Sequence, residues 1–173
     1  LWRGSDGLSP TQPVLFGLTP LSVIAGASTG LVSVAPPCEF SSLFPARGQW
    51  SGVTFEAKKG QVFWVELGSE RWGHPVDPMA VVQRAKTPEA ALEGAGWVDV
   101  LELADNEQNL GDREFPTAHR DAEARLEIPE TGRYRIVVRD GFRRGDTVDR
   151  YPYRLSLRPE TPDFPLVAFP MPP

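Results

Sequence analysis

Asp99, Glu102, Asp105, Glu107, Asp112 and Asp121 crowd one stretch of the chain, with Asn106 and Asn109 adding neutral oxygens. Acid groups at that density suit a cation, or an acid and base pair acting on a glycosidic bond. The histidines, His74 and His119, lie far apart and lack the close spacing of zinc ligands. His119 precedes Asp121 by two residues, so a Ser-His-Asp set can be nominated. No Gly-x-Ser-x-Gly elbow presents a serine to it. The plainer reading of this acidic stretch, 99–121, is a long solvated loop whose Asp and Asn side chains fix turns. Asp105 and Asn106 are its best candidates for contact with a partner.

The other chemistry-bearing residues are weaker pointers. Cys38 is the single cysteine, so no internal disulfide and no thiolate cluster can form, and it reads as a strand residue turned inward. The run Gly141-Phe142-Arg143-Arg144-Gly145-Asp146 has no lysine and no helix after it, which excludes a phosphate-cradling loop. Trp50, Trp64, Trp72 and Trp97 could stack on sugars or peptide, but core or edge packing is the simpler expectation, with Trp64 in the core. Arg133, Arg135 and Arg139 alternate with Tyr134, Ile136 and Val138, so one face of a strand is apolar and the other cationic. That arginine face is the second candidate for partner binding.

These residues need strands to hold them. Eighteen prolines and sixteen glycines leave little material for helix interiors, and many short strands joined by turns follow. Phe63, Val65 and Leu67 alternate with Val62, Trp64 and Glu66, both sets largely apolar, which predicts a central strand covered on both sides. Tyr151, Tyr153, Leu155 and Leu157 repeat the alternating plan. Pro129-Glu130-Thr131-Gly132 reads as a tight turn joining Ala124–Ile128 to the Tyr134 strand as a hairpin. Thr87 to Ala95, with a cap and an early proline, is the one short helix expected.

The segments Phe55–Leu67, Glu70–Met79, Ala104-Asp105-Asn106, Glu130–Asp140 and Tyr151–Leu157, in that order and spacing, resemble the bacterial pre-peptidase C-terminal domain. The resemblance spans residues 36–159. It implies an all-β, antiparallel, jelly-roll-like β-sandwich, a secreted or cell-surface address, and a non-catalytic place beside peptidases or other enzymes. Relatives that bind collagen also hold calcium, through an acidic linker and a Gly-Asp-x-Asp-Trp-like loop. The corresponding segments here, Ile24–Gly30 and Gly48–Gly52, carry no carboxylate, so no metal and no other cofactor is expected. Those relatives also show aromatic residues on the exposed sheet, where this chain has arginines, so collagen is not the expected ligand.

Residues 1–35 read as the tail of a preceding β module or a linker, 36–159 as the sandwich, and the proline-rich 160–173 as a connector to a following domain. Opening at Leu1 without a leader, the chain reads as an excerpt of a longer protein. The net charge of −5 and pI near 5.1 give no overall attraction to nucleic acid. No run of 18 apolar residues spans a membrane. The expected function is an accessory or binding module of a secreted bacterial multidomain protein, extracellular, cell-surface or periplasmic, contacting neighbouring domains and an extracellular protein, matrix or polysaccharide. The rivals are a carbohydrate-active or hydrolytic sandwich working through the 99–121 stretch, and an oligomerisation or docking domain.

Overall fold

The computed structural model describes the backbone of residues 3–4, 7–8 and 22–25, and both backbone and side chains of residues 30–46, 49–87, 96–110, 117–142 and 151–161. Its strands are β1 (Arg3–Gly4), β2 (Gly7–Leu8), β3 (Ser22–Ala25), β4 (Gly30–Ser33), β5 (Cys38–Leu43), β6 (Ser51–Ala57), β7 (Val62–Gly68), β8 (Pro78–Ala85), β9 (Trp97–Asn106), β10 (His119–Glu127), β11 (Gly132–Asp140) and β12 (Pro152–Pro159). The one helical turn among the described residues is a 3-10 turn at Glu70–Trp72. The helix expected at Thr87 to Ala95 lies, apart from Thr87, outside the described residues.

Alternation in the sequence decides which face of each strand is buried. On β11, Tyr134, Ile136 and Val138 are buried. Tyr153, Leu155 and Leu157 are buried on β12. On β7 the buried set is Phe63, Val65 and Leu67. These side chains meet in one interior: Phe55 of β6 stacks on Tyr134 at 5.7 Å and meets Phe63 of β7 edge-on at 6.1 Å. Ser51 of β6 and Tyr153 of β12 share a hydroxyl hydrogen bond of 2.7 Å across that core. Burial carries the Tyr153 hydroxyl up to about 12, against the pull of its serine partners Ser51 and Ser42.

The order across the main sheet is β3-β5-β12-β7-β10-β9-β8-β11-β6-β4, one continuous ten-stranded sheet. The described residues are nearly all β and mostly antiparallel, as expected. The sheet is hydrogen-bonded throughout, because β9 pairs with β10 on one side and β8 on the other. It curls so that β6 and β11 face β7 and β12 across the shared core. A register shift at Val82/Gln83 and another at His119/Ala122 flank β9, where the sheet turns. At the two ends of the order, β3 and β4 pair in parallel with β5 and β6.

Three expectations fail on particulars. The Pro129–Gly132 turn does not make a hairpin, since β10 pairs with β7 and β9 while β11 pairs with β6 and β8. Ile128 is bonded instead to the turn before β7, accepting from Gly60 N–H and donating to Gln61 C=O, both at 2.9 Å. Leu126 and Tyr134 therefore face each other's halves of the core rather than standing side by side. Strand β7 is central, between β12 and β10, but its Val62, Trp64 and Glu66 face is only half-buried, which puts Trp64 outside the core. The 99–121 stretch is not one loop: residues 97–106 and 119–127 are strands, and only 107–118 connects them.

Candidate functional site

Asp121 is the acid of the proposed triad, and the structure gives it a different task. Its carboxylate is fully buried and accepts from the backbone N–H groups of Ser69 at 2.7 Å, Glu70 at 2.6 Å and Arg71 at 3.3 Å. Arg71 Nε adds a charged hydrogen bond at 2.7 Å, and the same guanidinium is bonded to Glu66. This cradle fixes the 3-10 turn, which ends at Gly73 with φ 86. His119 does not reach Asp121 by any hydrogen bond found; its Nε2 lies 3.4 Å from Asn106 Nδ2, and its Nδ1 has no partner.

The candidates Asp105 and Asn106 sit at the end of β9. Asn106 lies opposite His119 and accepts from Gln108 N–H at 2.9 Å, a turn-fixing bond within its own chain segment. Asp105 is exposed, and its carboxyl lies above the usual carboxylate range because of partial burial first and the neighbouring Asp77 charge second. Among the described residues no group of three His, Cys, Asp or Glu is arranged to hold a metal ion.

The arginine candidates separate along β11. Arg133, near the Gly132 end, lies opposite Glu56, with Nε 3.9 Å from its carboxylate. Arg139, at the other end, is exposed opposite Met79 and has no ion pair or hydrogen bond among the described residues. Between them, Arg135 lies in one cross-strand row with Thr54, Gln83 and Asp99. Its Nε donates to Gln83 Oε1 at 2.6 Å, and Gln83 Nε2 donates to Asp99 Oδ1 at 2.5 Å. The guanidinium lies over the Trp97 ring, 4.3 Å from its centroid. Burial lowers the pKa of Arg135, opposed by Asp99 as the one nearby anion. No salt bridge to Arg135 occurs among the described residues, and the Trp97 Nε1 donor is buried without a partner.

Gln83 and Trp97 were the residues that sequence alone did not place here. Alternation along Met79, Val81 and Gln83 puts them on one face, but the register that brings Gln83 beside Arg135 is a tertiary fact. In the next row Val137 lies between Gly52 and Val81, with Glu102 beyond Val81 on β9. Gly52 has φ 154, and a Cβ there would fall 1.9 Å from the Ile136 carbonyl oxygen, so only glycine fits that approach of β6 to β11. Cys38 is buried, its thiol pushed up to about 11 by burial and then by Glu39, and so held as an inert thiol.

The sequence matches no family model and no curated protein. Solved structures share the outline. The pre-peptidase C-terminal domain of collagenase from Bacillus anthracis is similar at 11% identity and TM-score 0.49, over 75% of this chain and 96% of that one. It is the domain family whose segments the sequence resembles. PliG of Aeromonas hydrophila, a periplasmic inhibitor of g-type lysozyme, is similar at 16% identity and TM-score 0.47, over 75% of this chain and 97% of that one. CorA, a surface-associated copper-binding protein of Methylomicrobium album BG8, is similar at 11% identity and TM-score 0.49, over 78% and 100%. No residue role is carried over from any of them. No helix among the described residues is long and apolar enough to cross a membrane.

Proposed function

We propose that this chain is a non-catalytic binding module of a secreted bacterial protein, acting outside the cytoplasm by presenting the outer face of β6, β11, β8 and β9 to a protein partner. The reading rests on the use made of the acidic and basic groups. The observation that carries it is Asp121: four donors on one fully buried carboxylate make it a structural anchor and remove it from His119. The shared interior is lined by apolar side chains, so the groups able to contact another molecule lie outside. The secreted address is supported by the order of the five sequence segments.

A turnover assay with chromogenic peptide, ester and glycoside substrates separates this reading from the hydrolytic one. The module gives no turnover above buffer. Turnover abolished by His119→Ala or Asp105→Asn would overturn the reading.

A further inference from the structure

Arg120, Arg135, Arg139 and Arg158 have no ion pair among the described residues, and two of them, Arg135 and Arg139, stand on β11. Arg71, Arg84, Arg125, Arg133 and Arg154 each have a carboxylate within ion-pair distance. Arg135 and Arg139 have none among the described residues, and they stand on the same outer face. Arg135 is held in place by Gln83 and by the Trp97 ring, so its remaining N–H fork is pre-arranged before any ligand arrives. The unmet Trp97 Nε1 donor beneath it is an independent sign that this corner lacks an acceptor. A planar fork with two parallel donors matches a carboxylate.

We propose that Arg135 and Arg139 receive two carboxylates of an extended acidic segment of a partner protein, with half-buried Val137 and Val81 as the floor between them. This rests on the binding-module reading and deepens it. The two arginines are four positions apart on the strand, about 13 Å at the strand rise. An extended peptide keeps the same period, so the match is an acid, an apolar residue two positions on, and a second acid two further. A regular register of this kind favours a polypeptide over a sugar chain. Asp99 and Glu102 on one flank and Glu56 on the other confine the acidic ligand to the line of β11. With a net charge of −5 there is no long-range attraction, so binding is short-range and weakens as salt rises.

The test titrates the whole chain with a blocked Glu-Ser-Val-Ser-Glu peptide and follows the Trp97 indole N–H resonance by NMR. The expected result is a saturable shift, absent with the Gln-Ser-Val-Ser-Gln peptide. Affinity falls roughly tenfold or more in Arg135→Gln, less in Arg139→Gln, and less than about twofold in Arg133→Gln, whose side chain already faces Glu56. Spectral dispersion of each variant reports its folding separately. Equal response to both peptides, no shift, or equal damage from Arg133→Gln would overturn the proposal. Oligogalacturonate saturating the resonance where the peptide does not would make the surface a polysaccharide site instead. Either failure leaves the module reading to be judged by turnover alone.

Discussion

Asp121 and Arg135 are both ionic groups carried on strands of the same sheet, and they are treated in opposite ways. Asp121 is withdrawn from water and met by four donors. Arg135 is partly withdrawn, stacked and oriented, but given a neutral partner in place of a counter-ion. A buried charge with all its bonds made stabilises a particular backbone turn and offers nothing to a ligand. A positioned charge left without an opposite charge is the element proposed above to meet a partner. The comparison therefore separates architecture from recognition within one fold.

Removing the satisfied group should cost most. Asp121→Ala leaves three backbone donors and Arg71 Nε unmatched, and a loss of about 3–5 kcal/mol in urea unfolding is expected. Wild-type-like stability would mean that the 3-10 turn does not depend on the cradle. Gly52→Ala tests the scaffold under the arginine face. Its Cβ meets the Ile136 carbonyl at 1.9 Å with φ 154, so a loss of about 2–4 kcal/mol is expected, with β6 amides near residue 52 losing exchange protection.

The smallest effect concerns Glu123, directly opposite Glu66 in the ladder. Its carboxyl is raised by burial first and by the Glu66 charge second. A raised folded-state value means that the folded chain holds the proton more tightly than the unfolded chain does. The cost is present at neutral pH and disappears as pH falls through the folded value. Glu123→Gln should therefore raise the melting temperature slightly at pH 7, and the gain should vanish near pH 4, at about the ordinary Glu pKa. A gain that persists at low pH would assign the effect to packing.

Strand faces were legible because alternation is local: Tyr134, Ile136 and Val138 are buried where their period places them. The Pro129–Gly132 link was misjudged because the same turn residues serve a hairpin or a crossing between halves, and the choice is made by the distant partners Gly60 and Gln61. The strands hidden in the acidic stretch were obscured by charge on β9, whose Asp99, Glu102 and Asp105 are exposed. The arginine face could be proposed from sequence, whereas the distinction among its three arginines could not. Glu56, Gln83 and Trp97 decide it, and each comes from another strand. Asp121 was unreadable for a similar reason, since most of its partners are backbone N–H groups, which carry no side-chain signature.

Equilibrium urea unfolding of Arg135→Gln beside Asp121→Ala and the parent chain tests the central separation most directly. The expected result is a loss of no more than about 1 kcal/mol for the arginine variant, against several for the aspartate. Equal losses, or a larger one at Arg135, would make that guanidinium part of the architecture and remove the basis for assigning it to recognition.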